Sequence, residues 1–205
     1  MSKKPIIVFE GIEGSGKSLH IKNVVNFLKK KNIKFIKIRE PGGSKSSERI
    51  RKLILNNSSK FNRETDLLLY MASRSENMEK VIRKNYKKKI ILIDRFIDST
   101  IAYQHYGMGI NINLINFLNK FLLKNIKINF TFLNLVNEKN LRIRLTKRKN
   151  LNRYDKFSIK LYKTIQNGFI KIANREKNKY LKINSNLSIN ENKLIILDKV
   201  NKLIK

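Results

Sequence analysis

The feature that most constrains the fold of this chain is a glycine-rich loop near the N-terminus. Directly after the apolar run 5–10, the sequence matches the pattern G-x-x-x-x-G-K-[ST]. The loop consists of Gly11, Ile12, Glu13, Gly14, Ser15, Gly16, Lys17 and Ser18. Its glycines let backbone N–H groups converge on phosphate oxygens, while Lys17 supplies a charge and Ser18 a hydroxyl for Mg²⁺. The pattern predicts a strand, a phosphate-binding loop and a helix, which favours nucleotide binding over a plain glycine-rich helix cap.

The composition indicates one α/β domain over residues 1–205. No Pro/Gly/Ser-rich linker divides the 205 residues, and the length is sufficient for one buried core. The chain has no cysteine, which excludes disulfides and thiolate metal sites and fits a reducing compartment. No signal peptide and no apolar run of membrane-spanning length is present. We therefore expect a cytoplasmic protein that does not enter a membrane.

The formal net charge of +31 is the second conspicuous feature. Such a charge ordinarily indicates a nucleic-acid partner. Here lysine is over-used together with asparagine and isoleucine, and the three are spread through the whole chain. All three have AT-rich codons, so a biased genome accounts for the composition. We therefore predict no nucleic-acid partner and keep polyanion binding as the alternative.

Apolar runs of strand length alternate with segments of helical periodicity, which is typical of a parallel sheet flanked by helices. The predicted strands are 5–10, 33–39, 89–94, 128–135 and 180–184. The predicted helices are 17–31, 46–56, 64–85, 98–106, 111–124, 137–148, 156–178 and 189–204. The sequence thus predicts a five-stranded parallel sheet in an α/β fold.

Charged residues at the end of the third predicted strand point to phosphate chemistry. Asp94 and Arg95 close the run Ile90–Asp94 at the sheet edge where ligands bind. Asp94 would face the Mg²⁺, and Arg95 would grip a phosphate with two donors, joined by Arg74 from the long central helix. The alternative for the Asp94–Arg95 pair is a local salt bridge.

Three further segments complete the set of candidate residues. The turn Arg39–Gly43 can bring backbone close to a ligand, and Asp98–Gln104 offers hydroxyls, a ring and an amide for a base and a sugar. A basic cluster follows near the end of a predicted helix; its members are Arg142, Arg144, Lys147, Arg148, Lys149 and Arg153. In a phosphoryl transferase, such a cluster is expected to form a mobile lid over the phosphates.

Together and in this order, these segments resemble the bacterial thymidylate kinases from about residue 5 to residue 184. The motifs that carry the resemblance are Phe9–Ser18, Arg39–Gly43, Leu69–Arg74, Asp94–Gln104 and Asn152–Asp155. The resemblance implies the P-loop nucleoside-monophosphate-kinase fold with a short basic lid at about 148–155. It also implies phosphorylation of dTMP to dTDP with Mg·ATP, a step towards dTTP for DNA replication, by a homodimer.

The resemblance also implies a role for individual residues. Residues Gly11 to Ser18 with Arg148 would hold ATP, Ser18 and Asp94 would face Mg²⁺, and Glu13 would lie near the dTMP sugar. The predicted dTMP contacts are Glu40, Pro41, Arg51, Tyr70, Arg74, Arg95, Thr100, Tyr103 and Gln104. The predicted catalytic residues are Lys17, Arg95, Arg153 and Glu13. Tyr70 stands where the family usually has a phenylalanine stacked on thymine, and Arg148 is the second candidate for the catalytic lid arginine.

Two rival hypotheses remain at this stage. A different small P-loop kinase would phosphorylate another nucleotide or a nucleoside, against which Gln104 and the Tyr70/Tyr103 pair argue. A nucleic-acid-binding ATPase would use the high positive charge and show salt-dependent DNA binding with DNA-stimulated ATP hydrolysis.

Overall fold

The computed structural model describes residues 4–149 and 151–205. Its centre is a five-stranded, fully parallel sheet with the spatial order β2-β3-β1-β4-β5. The strands are β1 Ile6–Glu10, β2 Phe35–Arg39, β3 Ile90–Asp94, β4 Phe130–Leu135 and β5 Tyr180–Asn184. Every residue of β1 is buried, as expected of a parallel strand covered on both faces. The five predicted strands and the predicted parallel sheet are confirmed.

The register of the sheet brings the functional segments to one edge. Phe9 and Arg39 both pair with Asp94, so β1, β2 and β3 end side by side. β1 lies between β3 and β4, and the chain passes to one side of it for β2 and to the other for β4. Such a switch of direction leaves a crevice beyond the carboxyl ends of the strands. The glycine-rich loop follows β1 into that crevice.

Nine α-helical segments lie between and after the strands in the described part of the chain. They are α1 Lys17–Lys30, α2 Lys45–Leu55, α3 Arg63–Asn77, α4 Arg83–Asn85, α5 Ile97–Thr100, α6 Ile112–Leu123, α7 Glu138–Thr146, α8 Ile159–Arg175 and α9 Ile189–Ile204. Met78–Ile82 and Ile101–Gly107 are π-helical continuations of α3 and α5, and Lys177–Lys179 is a 3₁₀ turn. None of the described helices combines the length and apolar character that a membrane crossing needs.

Two predicted helices differ from the observed ones. The segment 64–85 is one helical rod, but its π-helical stretch shifts the face that it presents after Asn77. The predicted helix 156–178 begins only at Ile159, where Ser158 caps it. Residues Arg153–Lys156 instead form a 3₁₀ turn closed by a capping box between Asn152 and Asp155. That local turn gives the predicted lid region a structured end.

Alternate residues of the central strand serve the two faces of the sheet. Ile7 and Phe9 pack with α1 and α9, whereas Ile6 and Val8 pack with the π-helical part of α3 and with Phe96. A further apolar cluster joins α8 to Tyr103 and Tyr154 at the carboxyl edge of the sheet. These clusters fix the helices around the crevice.

Candidate active site

A cavity of about 410 Å³ opens at the carboxyl edge of the sheet. It collects nearly all of the predicted site residues, although they come from six separate stretches of sequence. Those that line it are Glu13, Gly14, Ser15, Gly16, Lys17, Ser18, Glu40, Pro41, Arg51, Tyr70, Arg74, Asp94, Arg95, Thr100, Tyr103, Gln104 and Arg148. Gly11 and Ile12 are the loop residues that do not line the cavity, and the Ile12 side chain is part of the core. Arg153 lies outside the cavity wall.

The glycine-rich loop is held by its own lysine. Lys17 Nζ donates to the carbonyl oxygens of Gly11 at 2.8 Å and Ile12 at 2.9 Å. Burial of the ammonium lowers the pKa of Lys17 to about 8. Gly11 has a φ of +134°, and a Cβ there would come within 2.3 Å of the Asn134 carbonyl oxygen, so only glycine fits. The loop and its cation are therefore shaped before any nucleotide arrives.

Two oxygen ligands lie together at the start of α1. The Ser18 hydroxyl donates to Asp94 Oδ2 at 3.4 Å, joining the loop to the end of β3. Mg²⁺ prefers oxygen ligands and is usually held by one or two protein groups together with phosphates and waters. The pair fits that chemistry. Among the described residues, no group of three or more His, Cys, Asp or Glu residues could hold a metal by itself.

Arg95 is positioned by both its backbone and its partners. Its φ is +65°, and its N–H donates to the Phe9 carbonyl. Arg95 Nη2 donates to Glu13 Oε1 at 2.8 Å, and the guanidinium lies 5.1 Å from the Tyr103 ring centroid. Burial opposes the charge on Arg95, but Glu13 raises its pKa above the ordinary value. The guanidinium is thus charged and fixed at the cavity wall.

The bend that follows Arg95 is held from below by a buried carboxylate. Glu10 Oε1 accepts from the N–H of Phe96 at 2.7 Å and of Ser99 at 3.2 Å, and Oε2 accepts from the Ser99 hydroxyl at 2.6 Å. Burial raises the pKa of Glu10, although these hydrogen bonds oppose the shift. The same Ser99 oxygen accepts from Arg95 Nη1 at 3.3 Å. Glu10 therefore supports Arg95 without entering the cavity.

Arg74 is the most deeply buried cation of the site, with 1% of its surface exposed. Its Nε donates to Glu40 Oε2 at 2.8 Å, Nη2 to Thr100 Oγ1 at 3.0 Å and Nη1 to Asn119 Oδ1 at 2.6 Å. The guanidinium also lies over the Phe96 ring, 5.1 Å from its centroid. A buried cation requires such pairing, because an unpartnered charge would be strongly unfavourable.

The remaining predicted substrate contacts offer free or adjustable groups. Arg51 Nη1 donates to the Pro41 carbonyl at 2.6 Å, which holds it beside the cis Glu40–Pro41 bond. Gln104 is buried in the cavity wall, and its Nε2 has no partner among the described residues. Buried amide donors in proteins are nearly always hydrogen-bonded. Gln104 is therefore suited to donate to a ligand oxygen.

The basic cluster divides into residues that face the cavity and one that does not. Arg148 lines the cavity and pairs with Asp155, and Arg144 lines it while donating to the carbonyls of Gly14 and Ser185. Arg153 turns to the other side, where it donates to Asp66 and to the Ile54 carbonyl. The structure therefore does not bring Arg153 to the loop, because Asp66 on α3 binds its guanidinium. Arg144 is a cavity-lining cation to which the sequence alone assigned no role of its own, and Leu19, Leu55, Phe96, Ser99, Asn152 and Tyr154 are further lining residues of that kind.

A chain of interacting side chains connects the cavity wall to the lid region. The Tyr70 ring lines the cavity and lies edge-on to the Tyr154 ring, with the centroids 6.1 Å apart, and the Tyr70 hydroxyl interacts with Tyr154. Tyr154 in turn donates to Asp66 Oδ2 at 3.2 Å, and Asp66 binds Arg153. Burial raises the pKa of Tyr70 to about 12, so the phenol stays protonated. A phenylalanine at position 70 could not make the first link.

Comparison with known proteins agrees with this geometry. A family model described as "Thymidylate kinase" matches residues 9–196. The chain is 37% identical to a thymidylate kinase of Sulfurihydrogenibium over 94% of each chain. It is 35% identical to one of Kosmotoga olearia over 89% of this chain and 88% of the other. A crystal structure of thymidylate kinase from Ehrlichia chaffeensis superposes with a TM-score of 0.78 at 30% identity, covering 96% of this chain and 98% of that one.

Proposed function

This chain belongs to the thymidylate kinase family, and we propose from that premise that the cavity described above holds both nucleotides. Its reaction is the phosphorylation of dTMP to dTDP in dTTP synthesis, with ATP as the co-substrate of the family. The observation that carries the proposed site is that the phosphate-binding loop and three buried or half-buried arginines line one cavity. Donor and acceptor phosphates can therefore meet there.

The donor side of the proposed site is the loop Gly11–Ser18. Its backbone N–H groups and Lys17 would hold the ATP phosphates, and Ser18 with Asp94 would hold Mg²⁺. Mg²⁺, when bound, neutralises charge on the phosphate oxygens. Arg148 and Arg144 face the same space from the lid side, so both are suited to contact the transferred group or the nucleotide.

The acceptor side is formed by Arg51, Arg74 and Arg95 for the dTMP phosphate. Tyr70 supplies a ring for the thymine, and Gln104 supplies the unpartnered amide for its edge. Tyr103 lies beneath the sugar in this arrangement, and its hydroxyl donates to Glu13. Glu13 is then held by both Arg95 and Tyr103, which orients it beside the sugar. Burial alone would raise the pKa of Glu13, but Arg95 and Lys17 lower it, so it acts as an anion.

Transfer needs little covalent help from the protein, so positioning and charge neutralisation carry the rate. Lys17 and Arg95 stabilise the negative charge that develops on the phosphoryl oxygens. We assign the lid contribution to Arg148, since Arg153 is bound to Asp66 on α3. Arg153 acts in this proposal as the anchor that holds the lid against the helix carrying Tyr70 and Arg74. No residue is required to act as a general base.

The proposal extends to the organisation of the chain. We propose one kinase domain over residues 1–205 with a lid at about 148–155, of which residues 1–3 and 150 lie outside the described residues.

Apolar side chains are exposed on the neighbouring helices α3 and α6: Leu68, Leu114, Phe117 and Phe121. Such a surface favours a homodimer. We also propose a cytoplasmic location and no nucleic-acid partner.

The experiment that tests the function is an ADP-release assay with Mg·ATP and each of dTMP, dUMP, UMP, dCMP, AMP and GMP. A clear preference for dTMP is expected. Preference for another nucleotide would overturn the assigned acceptor, and DNA-stimulated, steeply salt-dependent ATP hydrolysis would overturn the exclusion of nucleic acid.

Repeating the assay with EDTA and with added Mg²⁺ tests the metal. Analytical ultracentrifugation of wild type and Phe117→Glu tests the homodimer, which the charged variant is expected to disrupt.

A further inference from the structure

Asn119 is a buried polar residue that no step of the proposed reaction uses. It lies on α6 with 6% of its surface exposed, close to the apolar cluster of Leu67, Met71 and Ile115. Its Oδ1 accepts the 2.6 Å bond from Arg74 Nη1, across 45 residues of sequence. Its Nδ2 has no partner among the described residues. Asn119 does not line the cavity.

The burial of Asn119 is unfavourable when it is considered for stability alone. A buried amide donor without a partner costs about 1–3 kcal/mol, and an apolar side chain of similar size would avoid that cost. What the asparagine provides in return is one carbonyl oxygen directed at a buried guanidinium. Hydrogen bonds to a charged group are shorter and stronger than neutral ones, as the 2.6 Å distance reflects. The oxygen is therefore the functional part of this side chain.

The partners of Arg74 explain why that oxygen matters. A guanidinium carries five N–H hydrogens in a fixed plane. Nε–H is bound by Glu40, and one hydrogen of Nη2 by Thr100. Nη1 faces Asn119 and, at 3.8 Å, the sulfur of Met71. One Nη2 hydrogen is left for a ligand, and its direction is set by the bonds that hold the rest of the plane.

Asn119 differs from the other oxygen acceptors of Arg74 in its position. Glu40 and Thr100 themselves line the cavity, so a bound nucleotide can contact or displace them. Asn119 holds the guanidinium from outside the cavity, on a helix whose buried face also carries Ile115. Its hydrogen bond to Arg74 therefore stays in place when a nucleotide fills the cavity.

We propose that Asn119 is a positioning residue for dTMP recognition, which acts by fixing the guanidinium plane of Arg74. The proposal rests on the proposed function, because it needs Arg74 to contact dTMP. Loss of the acceptor leaves Glu40 and Thr100 as the only oxygen acceptors of Arg74 among the described residues. Both line the cavity, so the direction of its remaining donor shifts when a nucleotide contacts them. The consequence is weaker binding of the acceptor nucleotide, whereas ATP binds at the glycine-rich loop and is unaffected.

The test uses Asn119→Ala, Asn119→Asp and a control, Asn116→Ala, which is exposed on the same helix. We expect Asn119→Ala to raise the KM for dTMP about tenfold and to leave the KM for ATP within about twofold. Asn119→Asp keeps an oxygen acceptor and is expected to restore the KM to within about threefold of wild type. Asn116→Ala is expected to match wild type in both constants.

Other outcomes distinguish a failure of the positioning role from a failure of the proposed dTMP site. Equal increases in both KM values, or no rescue by aspartate, would make Asn119 merely structural and overturn the proposal. If Asn119→Ala does not fold, Asn119→Leu fills the same space without an acceptor and must give the same rise in the KM for dTMP. Arg74→Lys tests the premise that Arg74 contacts dTMP. An unchanged KM for dTMP in this variant overturns the proposed dTMP site. If Arg74→Lys raises the KM for dTMP but Asn119→Ala leaves it unchanged, only the positioning role is overturned.

Discussion

The cations on the floor of the cavity and those in the lid are held in different ways. Lys17, Arg74 and Arg95 are buried or half-buried, and each is bound by carbonyl, carboxylate or amide oxygens of the protein. The Arg148 side chain is 40% exposed, and its partner Asp155 belongs to the lid itself. Groups fixed in advance need no reorganisation when charge develops in the transition state. The floor thus provides preorganised charge, whereas the charge of Arg148 is more exposed and is paired with a residue of its own segment.

The two ends of the proposed lid are bound to different parts of the molecule. At one end, Arg148 faces the cavity, next to Arg144 of α7, which binds the glycine-rich loop. At the other, Arg153 and Tyr154 are bound to Asp66 on α3, next to the ring of Tyr70. The donor end of the proposed lid is therefore paired within the lid itself, through Arg148 and Asp155, whereas the acceptor end is bound to α3 through Arg153 and Asp66.

The largest effect is expected for the floor. Lys17→Ala removes the one cation that the loop encloses, and we expect kcat to fall by about 10³-fold or more. Because Lys17 is buried rather than on the surface, its removal leaves the carbonyls of Gly11 and Ile12 without their donor, so thermal unfolding must be measured beside kcat. A kcat within tenfold of wild type in a folded variant would contradict the role of the loop.

The two lid arginines are expected to differ in kind. Arg148→Ala should lower kcat about 10²-fold with little change in the KM for dTMP, because its charge acts mainly in the transition state. Arg153→Ala should lower kcat less than tenfold and lower the melting temperature, because Asp66 loses its partner. Steady-state kinetics and calorimetry measure both. A reversed order of the two kcat effects would restore the assignment of Arg153 made from sequence.

A substitution of Tyr103 tests whether the floor of the cavity excludes a ribose 2′-hydroxyl. A ring packed beneath the deoxyribose leaves a 2′-hydroxyl without room or partner, at a cost of about 1–3 kcal/mol. Tyr103→Ala is therefore expected to narrow the preference for dTMP over ribothymidine monophosphate by about tenfold. Competition between the two substrates gives the ratio directly. A fall in both activities at constant ratio would leave Tyr103 as part of the apolar cluster with Tyr154 and Phe169 only.

The smallest effect concerns the fixed end of the lid. Tyr70→Phe keeps the ring and removes the hydroxyl that interacts with Tyr154, and a loss of about 1 kcal/mol is expected to lower kcat/KM about fivefold. Tyr154→Phe removes both that link and the one to Asp66. If the chain of hydroxyls acts as a unit, the double variant should be less impaired than the sum of the single ones predicts. Strictly additive effects of the two substitutions on kcat/KM would show that the hydroxyls do not act as a unit.

Much of the sheet could be predicted because its information is local. The runs Ile6–Glu10 and Ile90–Asp94 are apolar over their whole length or nearly so, and buried parallel strands have that pattern. The glycine-rich loop is likewise contained in eight consecutive residues. The family likeness then placed 17 of the predicted residues on the cavity wall.

The parts that the sequence analysis missed depend on distant partners. Arg153 lies in a basic cluster, but its direction is decided by Asp66, which is 87 residues away and carries no signal of its own. Asn119 reads as an ordinary polar residue on an amphipathic helix, and only its contact with Arg74 distinguishes it. The late start of α8 is a local exception: Ser158 caps the helix, and Asn152 and Asp155 close the preceding 3₁₀ turn, so both signals are contained in the sequence.

The left-handed backbone of Arg95 sets stability and activity against each other. A φ of +65° costs a residue with a Cβ about 1 kcal/mol, and glycine would avoid that strain. Glycine at position 95 would also leave the Glu13 carboxylate without its guanidinium, and an unpaired, largely buried charge costs more than the backbone strain. The strain can be relieved only if Glu13 changes as well, so directed evolution of this enzyme towards thermostability has to select for turnover in every round to keep the Arg95–Glu13 pair.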